Sequence, residues 1–424
     1  MAEKSSPVFS RRLLLSSAGA GGAGLAVGAL AHAAFGSQLE PAAKKVADVV
    51  DCHGQHQAGI TTAAQDRMHI VGFDVVTEDR AKLVAMLKEW TAAIEAMTQG
   101  KEVGEGGAGS GSYDAPPSDT GEAVGLSAAN QSVTIGFGRS LFTDGKKARF
   151  GLEGKLPEAL INLPHFSGDM VEEERSHGDI VVQACANDPQ VAVHAIRNLS
   201  RIGFGTVRVR WSQIGFGRTS KTTSDQQTPR NLFGFKDGTA NILADDAEAL
   251  DKHVWVGEDA TDQPWMVGGT YMVARRIRMQ IEVWDRAALR EQENVVGRIK
   301  STGAPLSGGE EFTAPDLAMA GSNGPIIPAD SHVAMLHPSK HNGVQMLRRG
   351  FNYTDGSDGL GRLDAGLFFI AFVVDARTHF VPLQKAMSAN DAMNEYLRHT
   401  SSGLYAVPPG ITQGQYMGQQ LFES

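Results

Sequence analysis

The chain has 424 residues, 42% hydrophobic and 21% charged, with 2 cysteines and a net charge of −9. That is enough apolar length for two or three packed units, and it excludes both a disordered chain and a disulfide-stapled miniature. Residues 1–33 carry Lys4, Arg11 and Arg12 against Glu3, which leaves −11 on the rest, a balance that excludes nucleic acid as a partner.

In chain order, Ser10-Arg11-Arg12-Leu13-Leu14-Leu15 opens a Gly/Ala-rich apolar run that ends at Ala31-His32-Ala33, the small-x-small pattern of a cleavage site. It reads as a twin-arginine signal peptide over 1–33, cleaved after Ala33, and not as an anchor, because the run is short and diluted by glycine. The expected partner is the twin-arginine translocase, with no membrane span after cleavage and delivery to a periplasm or the cell exterior. Gly19-Ala20-Gly21-Gly22-Ala23-Gly24 matches a dinucleotide-binding fingerprint, but such a motif works within a folded strand-helix-strand unit, and this one lies in the segment expected to be discarded.

Residues 34–65 form an N-terminal extension. From 66 to 225 the pattern predicts strands at 68–76, 133–138, 179–185 and 206–211, and helices at 78–97 and 189–201. The Gly/Ser/Pro-rich stretch 99–130 reads as a surface loop. Strand, helix, strand, strand, helix, strand is the order of a ferredoxin-like α+β sandwich. Residues 226–424 suggest a second such half: strands at 270–284, near 332–336, at 345–352, 367–374 and 404–407, with helices at 286–295 and at 382–387, the latter extended by 392–399. Cys52 and Cys185 fit no metal spacing and no covalent haem motif; one disulfide between them is open, but Cys185 in an apolar strand reads better as a small buried residue.

Gly234-Phe235-Lys236-Asp237-Gly238-Thr239 is by itself an ordinary Asp-Gly turn. Asp330-Ser331-His332 followed after 16 residues by Arg348-Arg349-Gly350 would, taken singly, be a structural histidine and a salt-bridging arginine. Taken together, and with Gly54-Gln55-His56-Gln57-Ala58-Gly59-Ile60, His177-Gly178-Asp179, Gly297-Arg298 and Gly303-Ala304-Pro305-Leu306, the chain resembles the dye-decolourising peroxidase family from about residue 54 to its end. With the export signal it is most similar to the exported deferrochelatase/peroxidase branch associated with ferrous-iron uptake.

The resemblance implies two ferredoxin-like halves and one non-covalent haem b in the C-terminal half. It makes His332 the iron ligand; a carboxylate behind the ring would make it more basic, and Asp364 or Asp375, flanking the apolar run Leu367–Val374, is the expected one. It places Asp237 and Arg348 on the distal face, a carboxylate to move a proton between the peroxide oxygens and a guanidinium to stabilise charge on the leaving one. Gly238, Thr239 and Ala240 would lie against the haem, as would His337, Pro338 and Ser339. Gly350 stands where some branches carry asparagine, so the distal pocket is expected to rely on Asp237 and Arg348 alone.

His56, His69, His165, His177, His194, His253, His341, His379 and His399 read as surface or structural residues. Bulky dyes would be oxidised at the surface, but Trp211, Trp255, Trp265, Trp284, Tyr353 and Tyr405 cannot be ranked as relays. The implied function is reduction of hydrogen peroxide with oxidation of small aromatic donors. The alternatives are a deferrochelatase that frees iron from haem for iron-uptake proteins and an exported binding protein. A homo-oligomer is open.

Overall fold

Strand β1 (Arg67–Val75) turns Met68 and Ile70 to one side and Val71, Phe73 and Val75 to the other, and both sides are buried. A strand so patterned needs apolar cover on each face of its sheet. The computed structural model describes residues 48–423, so the export signal, the Gly19–Gly24 cluster and the start of the extension lie outside the described residues.

The first half continues through helix α1 (Arg80–Thr98), β2 (Ser132–Gly138), β3 (Ile180–Ala186), helix α2 (Pro189–Ile202) and β4 (Val207–Arg218). Asp79 caps α1 by accepting from Ala81 N at 2.8 Å, a bond worth about 1 kcal/mol. Leu83, Leu87, Trp90 and Ile94 then bury one face at helical spacing. Asp188 caps α2, and Pro189 opens it where no N–H is needed. The strands lie in the order β2-β3-β1-β4, which is the ferredoxin-like arrangement.

The second half supplies β5 (Thr270–Met279), β6 (Phe351–Ser357), β7 (Leu363–Val373) and β8 (Gly403–Val407), and their order β8-β5-β7-β6 repeats that of the first half. The halves then join edge to edge. β8 pairs with β2 (Ala406 opposite Phe137) and β4 with β6 (Phe216 opposite Asn352), closing a ring of antiparallel strands. Such a ring has no exposed edge to protect. Two short strands, Leu347–Arg348 on β7 and Leu397–His399 on β5, extend it.

Met68, Ile70, Val181, Cys185, Met272, Phe351, Phe368, Ile370 and Tyr405 fill the lumen. Outside, α1 and α2 pack Leu83, Trp90, Ile94 and Leu199 against Val71, Phe73, Ile135 and Val182. Cys185 belongs to the lumen and Cys52 to the outer layer, so the sheet separates them; both are free thiols, and the disulfide is excluded. No helix among the described residues is long and apolar enough to cross a membrane.

Helices α3 (Ala247–His253), α4 (Leu289–Val296), α5 (His332–Met335) and α6 (Val381–Asn390) belong to the second half. Here the sequence expectations need three corrections. The strand expected at 270–284 stops at Met279, and Ile281–Trp284 is a helical turn that lets Trp284 Nε1 donate to Phe233 O. The strand expected near 332–336 is α5, started by the Ser331 hydroxyl, which accepts from Ala334 N. The helix expected to run through 392–399 ends in a 3₁₀ turn, and Leu397–His399 pairs with β5.

Candidate active site

On the outer face of the second half, Ile277 and Met279 of β5 and Leu367 and Phe369 of β7 form the floor of a cavity of about 560 Å³. Val333 and Leu336 around α5 and Leu383 and Met387 of α6 add further apolar walls. A cavity of this size and character suits a large, mostly apolar ligand. Of the residues singled out in the sequence, Asp237, Gly238, Thr239, Ala240, His332, His337, Pro338 and Arg348 line it. Ser339 does not; its hydroxyl is 2.8 Å from His337 Nδ1 and steadies that ring instead.

Asp237 sits in a loop folded back on itself. Asp237 N donates to Pro229 O and Gly234 N to Asn231 O, each at 2.9 Å. Gly238 adopts φ +82°, and a Cβ there would lie 2.8 Å from Ser220 Cα, so only glycine fits. Arg348 Nη1 donates to Asp237 Oδ1 at 2.7 Å, a charge-assisted bond.

Asp237 has a second polar partner besides Arg348. Asn231 Nδ2 donates to Asp237 Oδ2 at 3.1 Å. A Cβ at Gly350 would stand 2.8 Å from Thr219 Oγ1 and 3.1 Å from Phe368 O, so a side chain there has no room without displacing a neighbour. Asn241, also unflagged in the sequence, accepts from Arg348 N at 2.7 Å and donates to Arg348 O at 2.9 Å. Successive residues of a strand face opposite ways. Arg348 therefore lines the cavity, while Arg349 points into the barrel and donates to Gln65 Oε1 and to the carbonyl of Thr62.

Behind His332 the carboxylate is neither Asp364 nor Asp375. Asp364 accepts from Arg276 Nη2 at 2.8 Å, and Asp375 caps the turn Ala376–His379 and pairs with Arg377. The partner is Asp391, whose Oδ2 lies 2.7 Å from His332 Nδ1 while its Oδ1 accepts from Met393 N at 2.8 Å. Burial pulls the imidazole pKa down, but the Asp391 charge and hydrogen bond outweigh it and raise it above the usual range. With Nδ1–H given to Asp391, Nε2 carries the free lone pair, which is the tautomer a metal ligand needs. Nothing in the sequence near His332 points to a carboxylate 59 residues further on; a capping aspartate at the start of a turn is the only local signal.

Two buried donors on the cavity wall, Arg275 Nη1 and Gln384 Nε2, have no hydrogen-bond partner among the described residues. Buried donors left unmet are costly. An apolar cavity with an imidazole, an acid and guanidinium pair, and two unmet donors therefore suits a flat apolar group bearing carboxylates, as haem does.

Residues 57–217 match the family described as Dyp-type peroxidase, N-terminal, and residues 228–412 match Dyp-type peroxidase, C-terminal. A deferrochelatase of Escherichia coli is 35% identical over 374 residues, spanning 87% of this chain and 86% of the relative. A deferrochelatase of Yersinia pestis is 35% identical over 377 residues, spanning 88% and 84%. Among solved structures, an oxyferrous complex of DtpA from Streptomyces lividans superposes with a TM-score of 0.79 at 39% identity, covering 88% of this chain and 97% of that one. A DyP-type peroxidase from Streptomyces coelicolor gives 0.80 at 38%, covering 89% and 97%. With both halves matched in sequence and the whole described fold matched in structure, this chain belongs to the Dyp-type peroxidase family of haem-dependent oxidoreductases.

Proposed function

We propose that the protein is an exported haem b peroxidase in which His332 ligates the iron and Asp237 and Arg348 drive cleavage of the peroxide O–O bond. The observation that carries this reading is the convergence of two charge-assisted pairs, His332–Asp391 and Asp237–Arg348, on one apolar cavity. Bound haem would supply the two electrons that reduce hydrogen peroxide and would then draw them back from phenolic or dye-type donors. Gly238, Thr239 and Ala240 would lie against the macrocycle, and the unmet donors on Arg275 and Gln384 suit its carboxylates.

Asp237, gripped by Arg348 and Asn231 at its two oxygens, is aimed as a base. It takes the proton from one peroxide oxygen and returns it to the other, which leaves as water. Arg348 holds a fixed positive charge where negative charge develops on the leaving oxygen, and being a guanidinium it stays charged throughout. Asp391 keeps His332 oriented and electron-rich. The twin-arginine signal supports delivery to a periplasm or the exterior, with the translocase as the transport partner.

In protein purified from haem-supplemented cells, a His332→Ala substitution is expected to abolish normal haem absorbance and peroxide turnover together. A His332 variant that kept both would overturn the ligand assignment. The names of the curated relatives favour a second reading, in which the same cavity releases iron from haem with the porphyrin intact and passes it to iron-uptake proteins. Incubation with haem and an iron chelator distinguishes the two, since only a deferrochelatase leaves fluorescent metal-free porphyrin.

A further inference from the structure

On the first half, none of whose residues here line the large cavity, Asp51, Cys52 and His53 gather against α1. His53 Nδ1 lies 3.1 Å from Asp51 Oδ1 and 3.9 Å from Cys52 Sγ. One donor atom from each of the three residues lies within 4.8 Å of the others. A tetrahedral ion with bonds of about 2.0 Å to nitrogen and oxygen and about 2.3 Å to sulfur separates such atoms by roughly 3.3–3.5 Å. The observed set therefore needs only small side-chain adjustments to close on a cation.

The far side of the imidazole is what makes this more than a chance grouping. His53 Nε2 lies 3.0 Å from Glu95 Oε1, a carboxylate 42 residues away on α1. A neutral ring has one N–H and here meets a carboxylate at each nitrogen. If the proton goes to Glu95, the Nδ1 lone pair faces the Cys52 sulfur and the Asp51 oxygen, which also accepts from His53 N at 2.9 Å, so three donor atoms of metal-ligating type share one small space. A carboxylate on the distant nitrogen of a ligating histidine is the usual device for orienting it.

Cys52 is only 2% exposed, and burial raises its thiol pKa, so the sulfur keeps its proton until a bound cation displaces it. The backbone is fixed as well: Gly54 N donates to Ile411 O at 2.9 Å, holding the segment between α1 and the C-terminal stretch. We propose that Asp51, Cys52 and His53 bind a borderline divalent transition-metal ion, Zn²⁺ being the type, with Glu95 orienting the imidazole. A mixed sulfur, nitrogen and oxygen set favours such an ion over magnesium or calcium. The bound ion clasps the segment that precedes β1 to α1, and none of its ligands lines the large cavity.

The test uses the mature haem-loaded protein after treatment with a chelator, titrated with Zn²⁺ and, as an optical stand-in, Co²⁺. One equivalent of Zn²⁺ should bind, and Co²⁺ should give an ultraviolet thiolate-to-metal absorption that survives Cys185→Ser and disappears in Cys52→Ser. His53→Ala should weaken binding at least about 100-fold and Glu95→Gln about 10- to 100-fold, with haem absorbance and peroxide turnover unchanged. A wild-type protein that shows no thiolate band with Co²⁺ overturns the proposal without recourse to any variant. So does Zn²⁺ affinity that is the same in Glu95→Gln, Cys52→Ser and the wild type.

Discussion

Asp391 spends one oxygen on His332 and the other on the Met393 amide, so it cannot turn away from the imidazole without uncapping its own turn. In Asp391→Asn the amide retains a hydrogen bond but not the charge. Haem is expected to stay bound, turnover to fall about 10- to 100-fold, and the iron midpoint potential to move positive, as redox titration would measure. Asp237→Ala and Arg348→Leu should likewise keep haem, while the peroxide-driven change in haem absorbance, followed by rapid mixing, slows about 10²- to 10³-fold in each. Equal rates in variant and parent would remove these two residues from the reaction. The residues lining the cavity were legible in the sequence where a compact pattern carried them. Asp391 was not, because a carboxylate meets a histidine across 59 residues only after α6 has turned the chain back; Asp364 and Asp375 looked as suitable and are committed to arginines.

Between residue and fold stands the link that Asn241 makes, holding both backbone groups of Arg348 while sitting four positions beyond Asp237. Asp237 and Arg348, 111 apart in sequence, are thus held as one piece. Asn241→Ala should leave haem absorbance normal but lower the rate of the peroxide reaction, up to about 100-fold if Arg348 shifts by an ångström; an unchanged rate would show that the strand pairing alone positions Arg348. The elements of the first half could be read because both faces of each strand, and one face of each helix, are plainly patterned. The second half was harder for local reasons. One hydroxyl at Ser331 converts an apolar run into α5, and Leu397–His399 becomes a strand because β5 offers it an unpaired edge beyond the end of β8.

For the molecule as a whole, buried imidazoles weaken the fold in acid, His69 and His399 among them, with His379 lowered in the same direction to about 4. Burial lowers His69 to about 4, and burial together with the Arg275 charge lowers His399 to about 3. Both are neutral when folded and titrate near 6.5 when unfolded, so below pH 6.5 the unfolded chain binds more protons. Each ring is then expected to remove up to about 1.4 kcal/mol of stability per pH unit from 6.5 downward, until its folded pKa is reached. Thermal melts of the haem-loaded protein from pH 8 to 4 should show a plateau above 6.5 and a decline below it, shallower in His69→Gln, where the Ser212 contact at 2.8 Å has an amide to replace the ring.

The reciprocal seams, β8 on β2 and β4 on β6, carry a further consequence. Either half alone would present two raw edges, and two copies of one half would satisfy each other through the same pairings. The molecule is thus a pseudo-dimer on a single chain, and the connection from β4 to β5 does more than link the halves, since it carries Asp237 and Asn241 and adds Ile242, Leu250 and Val254 to the core. Freed from identity, one pseudo-subunit seals its outer face with α1 and α2 while its twin keeps that face open as a cavity. The half that lines no part of the cavity still braces the half that does, because the strand carrying Met272 and Ile277 is held in register by a ring that the other half completes.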